Sequence, residues 1–301
     1  MRPSERLTVA MALLLAAVTA ALWPEGAVAR LAVFLSIAAA TLLLASAAPR
    51  GGLRVLRDWL PVGVIITIFL LLQPIIEAGV PWRLDAALAG LDARYLASLV
   101  DAWRSAFGRP EPLTDAIYLA YFSYYLLPVT VAALAWRRGP EPFETTVFAL
   151  LLAFYLTFLG YLILPASGPR LPLDEEVREL GGGRISDAVR AFLHFAETTT
   201  LDAFPSGHTT VAVIASVAAW RLLGRRAAAA IWAWAASIVF ATVYINVHYA
   251  ADVVAGLVLA GLVLLVCTPS NWRESSCPVS ERARGGSRLP PDTPAGTSGR
   301  D

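Results

Sequence analysis

Three short stretches carry chemically capable residues in a chain that is otherwise apolar. The first is Phe204-Pro205-Ser206-Gly207-His208-Thr209-Thr210. Pro and Gly enforce a turn and Ser206 is a favoured N-cap, so a helix is expected to start here. The unpaired N–H groups of a helix start attract anions, and His208 stands beside them, within reach of an anion held there. The second is His248-Tyr249-Ala250-Ala251-Asp252. Residues at i and i+4 share a helix face, and a carboxylate so placed fixes the imidazole tautomer and makes the opposite nitrogen more basic. The third is Pro165-Ala166-Ser167-Gly168-Pro169-Arg170, where Arg170 offers an always-charged planar fork suited to phosphate. Each stretch also has a plain structural explanation: a capped helix with an exposed imidazole, a polar pair near lipid headgroups, and an Arg that snorkels at a helix end. Asp252 resists it most, because it lies about one turn into an apolar helix, where ionisable groups are costly and mark function.

The elements that must position these stretches follow from composition. The 301 residues are 57% hydrophobic and only 16% charged, against about 25% charged in a soluble domain. The apolar residues fall into eight blocks, near 7–23, 31–48, 59–79, 114–135, 146–166, 208–223, 227–246 and 249–267. Blocks of roughly 17–25 residues suit helices that cross a hydrocarbon core about 30 Å thick. The expected fold is an all-α, polytopic membrane helical bundle of about eight transmembrane helices. The turn between the last two blocks, near Asn246–Val247, must be tight. The first block follows Arg2 and Arg6, and Ala27-Val28-Ala29 resembles a signal-peptidase site; its length favours an uncleaved helix.

Charge sets the expected orientation. Arg50, Arg54, Arg57, Arg137, Arg138, Arg221, Arg225 and Arg226 gather in short linkers on one side. The positive-inside rule places that side and both termini in the cytoplasm. The longer acidic segments, 80–113 and 167–207, then lie outside, with short helices expected in 84–103 (Leu84, Leu88, Leu91, Leu99, Trp103) and 185–196 (Ile185, Val189, Phe192, Ala196), in the interface or packed as loop helices. His194 reads as a solvated histidine there. Tyr118, Tyr121, Tyr124 and Tyr125 read first as interfacial anchors, with a lipid groove as the alternative. Tyr161 and Asp202 flank the motifs without an assigned role. The tail from Pro269 is rich in Pro, Gly, Ser, Arg and Thr and reads as a disordered cytoplasmic extension. A net charge of +1 gives no reason to expect a nucleic-acid partner. There is no lysine, and Cys267 and Cys277 are too few and too late for a disulfide framework or a metal site.

One helix out and one helix back separate His208 from His248, so both return to the same membrane side, and Arg170 leaves its helix there too. Two His, one Asp and one Arg beside a helix start make a phosphate site with a nucleophile and an acid. No carboxylate cluster has hard-metal spacing, so neither metal nor cofactor is expected.

The Pro-Ser-Gly-His and His-x-x-x-Asp stretches, in this order and topology, resemble the type 2 phosphatidic acid phosphatase superfamily, over about 59–267. That resemblance implies a six-helix core at 59–267, preceded by two helices and a linker at 1–58 and followed by the tail at 268–301. It implies a membrane lipid as substrate and a phospho-histidine mechanism without a metal: His248 attacks phosphorus, Asp252 orients it, and His208 protonates the leaving alkoxide. Arg170, with the backbone around Ser206 and Gly207, holds the phosphate oxygens. The chain departs from the pattern at Ile163, where the family has Lys, and at Ala241 and Thr242, where it has Ser-Arg. Gly168-Pro169-Arg170 and His248-Tyr249 look closer to the inositol phosphorylceramide synthase-like and sphingomyelin synthase-like transferases. Lipid binding or transport without chemistry is the competing class; it calls for charges buried mid-helix on several blocks.

Overall fold

The computed structural model describes residues 1–47, 50–95, 102, 105–106, 110–169, 181–196 and 199–267. These residues form helices throughout, with one isolated parallel bridge between Ala166 and Asp202. The helices are α1 Pro3–Leu22, α2 Ala27–Ser46, α3 Gly52–Leu71, α4 Gln73–Gly79, α5 Asp85–Tyr95, α6 Glu111–Phe122, α7 Leu127–Trp136, α8 Pro140–Ile163, α9 Arg184–Ala196, α10 Gly207–Leu222, α11 Arg225–Tyr244 and α12 Ala250–Val266. Arg170, residues 96–100, Trp103 and the tail after Cys267, with Cys277, lie outside the described residues.

Each apolar block contains helix, but two are broken. α3 and α4 meet at 46°, and α6, extended by a 3-10 turn at Ser123–Tyr125, meets α7 at 45°. Pro74 and Pro128 sit in the first turn of the helix after each break. A proline ring clashes with the carbonyl four residues back and supplies no N–H, so the chain bends there. Four helices, α1, α2, α8 and α11, are long and apolar enough to cross a membrane, or up to six spans if each bent pair is one; α12 is apolar but shorter. By length and composition, the described residues thus hold four to six candidate spans of the eight expected. The outer surface is apolar: Val254, Leu257, Val258, Leu262 and Leu265 of α12 all point outward, as a lipid-facing helix requires.

α8 and α10 form the centre. α8 packs against α1, α3, α4, α7, α10 and α12, and α10 against α7, α8, α11 and α12. Small residues allow the close approaches. A Cβ at Gly256 of α12 would lie 2.7 Å from the Ser206 carbonyl oxygen, so only glycine lets α12 lie against the start of α10. α1 is part of the bundle, with Met11, Ala12 and Leu15 buried. At its N-terminal end Arg57 donates to Glu5 (2.6 and 3.0 Å), and Ser4 donates through both N–H and Oγ to Glu144 (each 2.8 Å). Arg54 and Arg57 thus lie in the first turns of α3 rather than in a loop.

The link between α11 and α12 is as short as the sequence requires. Asn246 adopts a left-handed conformation (φ 60°), one that Asn tolerates better than most residues. The Thr242 carbonyl then accepts from both Val247 N–H (2.9 Å) and His248 N–H (3.1 Å).

Candidate active site

The C-terminal end of α8 and the N-terminal ends of α10 and α12 converge at one end of the bundle, opposite the Arg2–Arg57 cluster. Ser206 caps α10, its Oγ accepting from Thr209 N–H (3.2 Å) and Thr209 Oγ1 (3.0 Å). Its own N–H donates to the Asp252 carbonyl (3.0 Å). Ser206 is buried, and its backbone N–H ties α10 to α12. At the next residue, Gly207, a Cβ would meet Tyr161 Oη at 2.6 Å, so this helix start packs closely on α8.

The two histidines come together as the spacing predicts. His208 Nδ1 lies 3.1 Å from His248 Nε2, and His248 Nδ1 lies 3.4 Å from Asp252 Oδ2. The same Oδ2 accepts from Tyr249 N–H (2.9 Å). His248 is 2% exposed and Asp252 fully buried. In the tautomer that directs the His248 Nδ1 proton at Asp252, the Nε2 lone pair of His248 faces His208 Nδ1, which can then act as the donor. Asp252 Oδ1 has no hydrogen-bond partner among the described residues. Tyr121 and Tyr124 pack on the His208 ring, with centroids 5.0 and 4.2 Å away. Those tyrosines hold a site residue in place, a more specific task than the expected interfacial anchoring. Tyr118 is buried beneath Arg190, whose guanidinium lies 5.0 Å from its ring centre. His194 is exposed, in keeping with a solvated histidine.

Sequence reasoning missed what α5 does. Asp85 accepts from Ser167 N–H (2.9 and 3.1 Å to its two oxygens) and Gly168 N–H (3.0 Å). Asp92, two turns on, accepts from Ala250 N–H (2.7 Å) and Ala251 N–H (2.9 Å), the first turn of α12. Leu88, between them on the same face, packs with Ala166 and Ala203. α5 is therefore a strap across three site segments: the loop leading to Arg170, the chain ahead of Ser206 and the helix carrying Asp252. The i, i+3, i+7 spacing of Asp85, Leu88 and Asp92 was the available signal. Burial, with the carboxylates of Asp85, Asp252 and Asp92 adding to it, pushes the Tyr249 phenol up to about 12 and keeps it neutral. Gly168 has φ +74°, and a Cβ there would collide with the Val247 carbonyl oxygen. The loop thereby lies directly on the residue before His248.

A cavity of about 330 Å³ has His208, Gly207 and Asp202 among its lining at one end and runs between α3 and α7 with α8 behind it. The polar end and the apolar interior are consistent with a membrane lipid substrate. A sequence profile of the PAP2 superfamily matches residues 86–266, and the chain belongs to that superfamily. The match begins inside α5, so α1 to α4 precede it. Neither the comparison with curated proteins nor that with solved structures gives a match. Family membership and the apolar helices fit a multi-pass membrane protein of the phosphatase type.

Proposed function

We propose that this chain is a membrane enzyme that cleaves a lipid phosphate ester through a phospho-histidine intermediate at His248. The observation that carries the reading is the chain His208–His248–Asp252, two hydrogen-bonded imidazoles and a buried carboxylate, at the mouth of an apolar cavity. The phosphoryl group enters between the rings in place of their 3.1 Å contact. His248 Nε2 forms a bond to phosphorus as the ester P–O bond breaks, and His208 gives its proton to the leaving alkoxide. Asp252 holds the Nδ1 proton of the cation that develops on His248. Water or an alcohol then attacks phosphorus, His208 takes its proton, and the P–N bond breaks to free His248. General acid–base help of this kind contributes about 10²–10⁴ in rate.

Gly207 N–H and Arg170 hold the nonbridging oxygens in this proposal. Arg170 lies outside the described residues, two positions after Gly168, which the strap fixes. No step calls on a metal. The Arg-rich end faces the cytoplasm by the charge rule, which puts the site on the extracytoplasmic face. The core of 59–267 and a total of eight crossings, with α10 and α12 as short spans, complete the arrangement.

Purified full-length protein in detergent with excess chelator should release phosphate from short-chain phosphatidic acid, and His248→Ala should not. A second reading is transfer of a phospho-headgroup to an alcohol acceptor, as in inositol phosphorylceramide synthase-like enzymes. The residues that favour it are Ile163, Ala241 and Thr242, which leave the basic clamp thin; Thr242 is buried and its carbonyl is used in the α11–α12 turn. Absence of hydrolysis by folded wild-type protein, with phosphate transfer from a lipid donor to an alcohol, would establish that reading instead.

A further inference from the structure

The cavity lined by His208 at one end does not stop near the site. On α8 its lining residues Phe143, Val147, Leu150, Phe154, Phe158 and Tyr161 recur every three to four positions, one continuous face. From Tyr161 to Phe143 the helix rises about 27 Å, at about 1.5 Å per residue. α3 supplies the facing wall from Leu70 to Asp58, and α7 the third side at Pro128, Val129 and Ala132. The slot thus runs through nearly all of a hydrocarbon core about 30 Å thick, twice the depth of one leaflet.

Its far end is closed by charge. The Trp59 and Phe143 rings meet there at 5.9 Å. Behind them Asp58, almost fully buried, pairs with Arg2 Nη1 (2.6 Å) and Arg54 Nε (3.8 Å) and accepts from Trp136 Nε1 (3.0 Å). Asp58 is desolvated while Arg2 and Arg54 keep 27% and 54% of their side chains exposed, so a hydrocarbon end that advanced past this point would separate a buried carboxylate from its cations, which is unfavourable. Arg2, Arg54, Asp58 and Trp59 all precede the span matched by the superfamily profile.

We propose that this slot receives one hydrocarbon chain of the lipid phosphate and that its floor, built by Asp58 and Trp59 of α3 with Arg2, Trp136 and Phe143, gauges the length of that chain. The proposal rests on the lipid-phosphate reading above. Three features select the occupant: a polar mouth at the histidines, an apolar wall, and an ionic floor. With C–C bonds of about 1.52 Å and near-tetrahedral angles, each carbon advances an extended chain by about 1.25 Å, which puts the floor roughly 20 carbons from the phosphate. The fitted chain is therefore longer than one leaflet is deep.

The test uses full-length protein and a series of single-chain n-alkyl phosphates from about 8 to about 26 carbons. Wild type, Ala132→Phe and Phe143→Ala are compared by kcat/KM against chain length. Binding of the matching alkylphosphonates, which have no ester bond to cleave, is measured on His248→Ala versions of the same proteins by native mass spectrometry. For wild type, binding and kcat/KM should rise with length and break near the floor. Ala132→Phe fills the slot about halfway down. It should move the break to shorter chains and lower the long-to-short ratio of kcat/KM about tenfold, within the range that overpacking costs. Phe143→Ala should move the break to longer chains. Breaks in phosphonate binding without turnover by any protein would support the slot while removing the proposed reaction. The same length profile in all three proteins, with turnover intact, would overturn the slot while leaving the reaction standing.

Discussion

Removing the Asp85 carboxylate should loosen the loop that leads to Arg170. Asp85 is the acceptor for the N–H groups of Ser167 and Gly168, at 2.9–3.1 Å. A hydrogen bond to a charged acceptor contributes about 1.5–3 kcal/mol. These are partly buried, so two at the lower end give about 3 kcal/mol, or roughly a 100-fold shift in the local opening equilibrium. The loop keeps two other ties: Leu84 N–H to the Pro165 carbonyl (3.0 Å) and Ala203 N–H to the Ala166 carbonyl (2.9 Å). The loss should therefore appear as local opening, not as global unfolding. In Asp85→Ala, hydrogen exchange of the peptide covering Ser167 and Gly168 should accelerate about 100-fold while the peptides of α8 and α10 stay protected. kcat/KM should fall about 10- to 100-fold, and Asp85→Asn, which keeps one acceptor oxygen, should recover part of both. Unchanged exchange at Ser167 and Gly168 together with wild-type kinetics would refute the strap.

Three further outcomes follow from the same geometry. Asp252→Asn can keep the bond from Tyr249 N–H, so the protein should fold, but it loses the charge that faces His248; kcat should fall about 10²–10⁴ with little change in KM. Gly256→Ala places a methyl 2.7 Å from the Ser206 carbonyl oxygen and 2.9 Å from Thr209 Cβ. α12 must move off α10, which should cost about 1–3 kcal/mol in unfolding experiments and lower kcat by separating His248 from His208. Gly168→Ala combines a φ of +74° with the collision at Val247; it should destabilise by about 1–3 kcal/mol and lower activity, read by thermal melting and initial rates.

Much of this arrangement was legible from residue order. The helices were readable because apolar length fixes them, and the His208–His248–Asp252 constellation because i, i+4 spacing and one helical hairpin leave little freedom. The two breaks were less so: Pro74 and Pro128 lie within apolar runs that read as continuous, and the bends separate those runs into helix pairs. Asp85 and Asp92 drew no reading of their own, because their partners are backbone N–H groups remote in sequence; only their spacing about Leu88 marks the shared face. Ser206 N–H looked available for the same reason: its partner is the carbonyl of Asp252, supplied by a helix that arrives later in the chain. The tyrosines on His208 illustrate a third limit, since Tyr121 reaches it from the last turn of α6 and Tyr124 from the 3-10 turn that follows.

The most direct test of the central claim is to trap the phospho-enzyme. Full-length protein is mixed with a short-chain lipid phosphate labelled at phosphorus, quenched with alkali, and digested for peptide mapping. An alkali-stable, acid-labile label is expected on the peptide bearing His248 and should be absent from His248→Ala. Turnover by wild type with no label at His248, or full turnover by His248→Ala, would contradict it.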